Sequence, residues 1–244
     1  MHVESIVRPS RIALAIACLT LLVAACSADS GGPTMDVFGS TPWTGDETLM
    51  YAVRDNSNKS LGRETLQIDV NGATTTLVQV FANDERQDDT RVDVNSSDFK
   101  PLSGHRTIVT PDEKDTLDWT YTDAGVLITH NEEKQTGLSV PEHSYDNDSS
   151  LFLWRTLPFA EGYEGRYITV ITNFRARQTV DLRVTGKETV RVPAGEFTAW
   201  RLEIRTANAR QIAWYADTPT RPLVKYDNDR NIIFELESLP TASR

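Results

Sequence analysis

The sequence predicts a mostly β protein, with one large twisted antiparallel sheet curled into a barrel or half-barrel and a single short helix. From Glu47 onward, apolar and polar residues alternate with period two, which puts one face of each segment on a core and the other in water. Turn residues interrupt the alternation about every eight to twelve positions, the spacing of a meander of hairpins. One stretch, 148–157, breaks the alternation with helical spacing.

The chain opens with Arg8 and Arg11, an apolar run over 12–25, and small residues before Cys26, the layout of a secretory signal. Crossing a bilayer takes about 20 apolar residues, so this run is too short to span and is expected to be removed. Leu22-Val23-Ala24-Ala25-Cys26 resembles the lipobox of bacterial lipoproteins. That resemblance implies cleavage before Cys26 and a diacylglyceryl group on its thiol, with two acyl chains holding the protein on a membrane. It also implies a place in the cell envelope outside the cytoplasm, and Ser27 after the cysteine favours the outer membrane where the host has one. Residues 26–45 begin with a Ser/Gly/Pro stretch and are expected to form a lipidated flexible tether. Residues 46–240 are read as a single β-rich domain and 241–244 as a tail.

Within that domain, Leu49, Tyr51 and Val53 alternate in the first strand and Leu66, Ile68 and Val70 in the second, and Asn71-Gly72 supplies a type I′ hairpin turn. Residues 74–82 are apolar on both faces, as in a central strand. The acidic stretch 83–89 reads as a loop. Residues 91–94, 102–110 and 116–122 continue the series, and Asp123-Ala124-Gly125 turns into 126–130. Asp148 is the N-cap candidate for the helix, which stops at Pro158 and is too short to be stable unless Phe152, Trp154 and Leu157 pack on the sheet. Strands resume at 167–173 and 179–185. A turn at Gly186-Lys187 leads to 189–192, and Pro193-Ala194-Gly195 reverses the chain into the strand of Trp200, Leu202 and Ile204. Segments 211–216, 223–226 and 232–237 bring the expected total to about twelve strands.

The segments Val192-Pro193-Ala194-Gly195-Glu196-Phe197, Trp214-Tyr215 and Pro222-Leu223-Val224-Lys225-Tyr226, with an earlier Tyr51-Ala52-Val53 and Gly62, resemble an uncharacterised family of exported bacterial β-rich lipoproteins. The resemblance spans most of 47–237. It implies a fold similar to the half-barrels of periplasmic lipoprotein carriers, in which a curved sheet wraps a helix and leaves an apolar concavity. Its motifs describe turns and sheet positions and imply no chemistry.

Composition excludes several functions. Without Glu4, Arg8 and Arg11, the chain keeps 23 basic and 34 acidic side chains, a net charge of about −11 that repels phosphate backbones, so no nucleic-acid partner is expected. Cys18 falls in the signal and Cys26 is the lipidation site, which leaves no disulfide, so stability has to come from burial. His105, His130 and His143 have no metal-ligand spacing, so no metal site and no cofactor are expected. Ser103-Gly104-His105 lacks a nucleophile elbow and is read as a loop. Asp146-Asn147-Asp148 and Asp227-Asn228-Asp229 resemble fragments of calcium loops without the glycine and glutamate that complete them.

Trp119, Tyr121, Trp154, Trp200 and Trp214 are the candidate lining of a ligand pocket, if the sheet leaves one open; the default for such residues is core. The reading that follows is a membrane-anchored envelope lipoprotein, non-catalytic, binding a hydrophobic small molecule or an envelope protein or serving a structural role. Two alternatives stay open: a hydrolase or lyase that pairs a histidine with a carboxylate, and a calcium-stabilised adhesion module.

Overall fold

Every segment with period-two alternation is a strand in the computed structural model, which describes residues 32–133 and 136–239. The signal segment, Cys26, the first residues of the tether and the tail 241–244 lie outside the described residues.

The strands are β1 (Glu47–Arg54), β2 (Ser60–Asn71), β3 (Thr74–Ala82), β4 (Gln87–Asn95), β5 (Pro101–Val109), β6 (Lys114–Thr122), β7 (Gly125–His130), β8 (Thr136–Leu138) and β9 (Ser144–Asp146). After the helical segment come β10 (Glu164–Ile171), β11 (Ala176–Val192), β12 (Gly195–Thr206), β13 (Ala209–Ala216), β14 (Leu223–Asp227) and β15 (Ile233–Ser238). They form one 15-stranded sheet in the order β8-β7-β6-β5-β4-β3-β2-β1-β15-β14-β13-β12-β11-β10-β9. All neighbours are antiparallel except β9 and β10.

The two edge strands, β8 and β9, are three residues each and do not pair with one another among the described residues. Residues 139–143 link them directly, and at about 3.5 Å per residue so short a link holds the edges within roughly 20 Å. The sheet therefore curls almost into a barrel and stops short of closing, which is the half-barrel expected.

Side chains join what the backbone leaves open. Trp119 Nε1 and Tyr121 Oη, both on β6, donate to Asp146 Oδ2 on β9 at 2.8 and 2.7 Å. Inward-facing Leu49, Ile68, Leu77, Val92, Ile128, Leu182, Leu202 and Ile204 make the apolar core. Each such side chain contributes about 1.5–3 kcal/mol on burial.

The helical segment sits inside the curl. It consists of a 3₁₀ turn (Asn147–Ser149), the four-residue α1 (Ser150–Leu153) and a second 3₁₀ turn (Trp154–Thr156). All of α1 is buried, and Phe152, Leu153, Trp154 and Leu157 pack on the sheet. The N-cap is Asp146, which accepts from the Asp148 N–H, and not Asp148 itself. Arg155, 2 % exposed, ties the segment down by donating to Glu47 at 2.6 and 3.2 Å and to the carbonyls of Thr220 and Arg221.

Other expectations need correction. The tether does not run free to Gly45, because Val37 and Trp43 are 5 % exposed and the Met35 N–H bonds the Arg166 carbonyl at 2.9 Å. The Ser/Gly/Pro composition ends before Met35, and the apolar residues after it find the core. The acidic loop 83–89 already contains the start of β4, whose Asp88 points inward and disguises the strand as solvent-facing.

Gly186 is not a turn. It is a bulge with φ +137° in the 17-residue β11, where the register against β12 shifts. The loop of the β2–β3 hairpin is Gly72-Ala73, with Asn71 paired to Thr74; positive φ at Gly72 and not at Ala73 matches type II′ rather than I′. Ser103-Gly104-His105 lies within β5, not in a loop. The short strands β8 and β9 have no alternation long enough to be read, and the sheet has fifteen strands against about twelve expected.

Candidate functional site

On most strands the inward positions at one end of the curl are polar, and three adjoining hollows open there. Register explains the grouping. Glu64 on β2 stands opposite Phe81 on β3, which stands opposite Asp88 on β4, while Thr90 stands opposite Arg106 on β5, then Leu117 on β6, then His130 on β7.

The first hollow, about 190 Å³, lies beside α1 between Trp154, Tyr167, Tyr226 and Phe234 and the polar side chains of Gln79, Asp148, Thr169, Gln178, Thr206 and Gln211. The second, about 140 Å³, is lined by Glu64, Asp88, Arg106, Asp148 and Phe81. The third, about 260 Å³, is lined by Arg86, Arg106, Leu117, His130, Asn173 and Arg175. Gln79, Asp148 and Phe234 are shared by the first two and Arg106 by the last two, so the hollows form one groove.

Its electrostatics are uneven. Arg106 grips Asp88 through two bonds, at 2.8 and 2.7 Å, and Arg86 adds a third at 2.5 Å. Burial acts to raise the Asp88 carboxyl, but these guanidinium bonds outweigh it and hold the group below its ordinary value. Glu64, 4 % exposed, has no hydrogen-bond partner for its carboxyl among the described residues. Burial first, and then repulsion from Asp88, push it up to about 8, so it is neutral at pH 7 and able to donate. Burial also raises Asp148. In the first hollow the Thr169 hydroxyl is buried without a partner. Gln79 donates to the Asp148 carbonyl, and Gln211 accepts from Tyr226 Oη at 2.9 Å.

The aromatic residues expected to line a pocket are not brought together. Only Trp154 reaches the groove, 4 % exposed and donating to Tyr167 Oη at 3.1 Å. Trp119 and Tyr121 are committed to Asp146 at the seam, and Trp119 also covers Gly104. Trp200 stacks on Phe159 at 6.1 Å and donates to Asp217. Trp214 lies over a small outer-face cluster of Val190, Ala199, Ala216 and Val224 and donates to Glu188.

The histidines are equally dispersed. His105 bonds Asp118 at 2.7 Å, His130 bonds Asp115 at 2.5 Å, and His143 lies 3.1 Å from Asp36. No two share a cleft, and no group of three His, Cys, Asp or Glu able to hold a metal occurs among the described residues. Most side chains of the two calcium-like runs are engaged within the fold. Asp146 closes the seam, Asp227 and Asn228 accept backbone N–H groups of their own loop, and Asp229 accepts the Arg210 N–H.

Sequence reasoning missed Glu64, Gln79, Asp88, Arg106, Thr169, Gln178 and Gln211. The available signal was a polar residue in phase with an apolar face, as Glu64 is with Leu66 and Ile68.

A family model matches residues 44–232. The chain belongs to the DUF3108 family of proteins of unknown function. The resemblance read from the turn and Trp-Tyr motifs is thus to an uncharacterised family, as expected. No curated protein matches this DUF3108 chain.

Among solved structures, it is similar to a β-barrel-like protein of the DUF1849 domain of unknown function from Brucella abortus. That match has TM-score 0.54 and 11% identity and covers 82% of this chain and 99% of that one. It supports the fold alone. A candidate lipoprotein from Parabacteroides distasonis matches with TM-score 0.33 and 12% identity over 83% of this chain and 98% of that one. An exported-protein candidate with a YmcC-like fold from Bacteroides fragilis matches with TM-score 0.31 and 13% identity over 84% and 100%.

Proposed function

We propose that the chain is a non-catalytic envelope lipoprotein, anchored through Cys26, that holds a small ligand in the groove at the open end of its half-barrel. One observation carries the binding part. The interior beside α1 is left unfilled at the point where aromatic faces meet polar groups, including a buried Thr169 hydroxyl with no partner. Interiors normally close around apolar side chains and satisfy their polar atoms, so a lined space of this kind is the usual form of a ligand site. The anchor and the envelope location rest on the lipobox-like Leu22-Val23-Ala24-Ala25-Cys26.

A purely hydrophobic occupant fits the groove poorly. Each polar group it left unpaired would cost about 1–3 kcal/mol. The ligand is therefore amphipathic or polar.

The test is native mass spectrometry of the full chain purified from bacterial membranes in detergent, together with peptide mapping of the N-terminus. The expected result is a diacylglyceryl-modified Cys26 and a stoichiometric adduct that is lost on replacing Gln178 and Gln211 with alanine. A bare protein mass from gently handled preparations overturns the binding reading, and an unmodified cysteine overturns the anchor.

A further inference from the structure

The hollow beside α1 has a lining distinct from the rest of the groove. We propose that it is a saccharide site, taking one ring of an uncharged, hydroxyl-rich ligand against the Trp154 and Tyr226 rings and the amides of Gln178 and Gln211. The inference rests on the binding reading above and adds the ligand's chemical class.

The argument is one of matching groups. No lysine, arginine or histidine lines this hollow, so nothing in it recognises an anion. The arginines belong to the neighbouring spaces, where Asp88 engages Arg86 and Arg106. The hydrogen-bonding groups here are mostly neutral and come from separate strands, which fixes their positions independently: Gln79 on β3, Thr169 on β10, Gln178 on β11 and Gln211 on β13.

Their capacity is largely unspent. The Thr169 hydroxyl is buried without a partner, and the Gln178 amide has none among the described residues. The Gln211 oxygen accepts from Tyr226 Oη, which orients the amide nitrogen and leaves its two donors free. An amide offers a donor and an acceptor side by side, the pattern that adjacent ring hydroxyls complement.

Another part of the lining is aromatic. Trp154 and Tyr226 lie 6.3 Å apart with rings tilted 46°, and Phe234 meets Tyr226 at 5.6 Å. Such faces suit the C–H side of a sugar ring. The space, about 190 Å³, equals roughly six water volumes at about 30 Å³ each, the scale of a single hexose and too small for paired acyl chains.

The experiment uses the full chain in a polyoxyethylene detergent, chosen because it carries no sugar head. Calorimetric titrations are run with maltotriose, cellotriose and chitotriose, and separately with trialanine amide and a lysophospholipid. At least one oligosaccharide is expected to bind with Kd of about 1 mM or tighter. Q178A and Q211A should each weaken it about tenfold, the scale of one lost hydrogen bond, while W214F leaves it unchanged. Melting temperatures within a few degrees of the parent confirm that the variants fold, since both glutamines are only partly buried.

Binding of the tripeptide or lysophospholipid alone, sensitive to Q178A, overturns the saccharide class and leaves the binding reading standing. Oligosaccharide binding indifferent to both glutamines overturns the site. No binding of any probe, with a bare native mass, overturns both proposals.

Discussion

Glu64 has a chemistry that its place in the sequence does not announce. Burial and Asp88 raise its carboxyl from an ordinary value near 4.5 to about 8, so the folded protein holds a proton that the unfolded chain releases between those limits. The contribution of Glu64 to stability is therefore fully present below about pH 4.5 and is lost as pH rises through 8. The melting temperature should fall between pH 5 and pH 9, by an amount corresponding to a few kcal/mol at most, and E64Q should flatten that slope. A parent and variant with parallel pH profiles would show that the carboxyl is already solvated.

Gly104 makes a different demand. A Cβ there would meet the Trp119 ring at 2.2 Å, so G104A should lower stability by about 1–3 kcal/mol in urea melts, with near-ultraviolet dichroism reporting the displaced indole. Neither role was legible from the sequence. Glu64 reads as an interruption of an apolar face, and Ser103-Gly104-His105 as a loop, until the register sets each against its neighbour.

The helical segment was foreseen because Leu151, Phe152, Trp154 and Leu157 crowd into a short stretch that stops at a proline. Its tether to the sheet is not legible there, since nothing in the sequence pairs Arg155 with Glu47. In the structure Arg155 is buried against Glu47 and two carbonyls, with its guanidinium 5.4 Å from the Trp43 ring. Removing one partner strands the other charge in the interior, so R155A should cost about 3–5 kcal/mol by chemical denaturation. An effect below about 1 kcal/mol would mean that Glu47 finds water instead. The same contact bears on residues 35–45, where the expected free tether instead meets the core. Trp43 has no periodic neighbours to mark it as core, and only the three-dimensional position of Arg155 and Phe99 reveals its socket.

The strands could be read individually, and most were, because alternation is a local signal. Their order could not be. Adjacent hairpins follow from short turns, but the pairing of β1 with β15 joins segments from opposite ends of the domain, and nothing in either strand names the other. The groove inherits that limit, since Phe234 on β15 shares a wall with Gln79 on β3. The position of β15, flanked by β1 and β14, makes the last strand structurally internal. A chain ended after Asp229 should lose the cooperative unfolding transition altogether, whereas a frayed tail would leave it intact. Refolding of the whole chain should be slow for its size, in milliseconds to seconds or longer, because this closure is strongly non-local.

That pairing also sets an order of events for a chain that emerges N-terminus first. When β1 appears, its partner β15 lies roughly 180 residues behind it, so the two cannot meet until almost the whole domain has emerged. Until then any sheet already formed carries a bare, hydrogen-bond-hungry flank, the kind of surface that recruits stray strands.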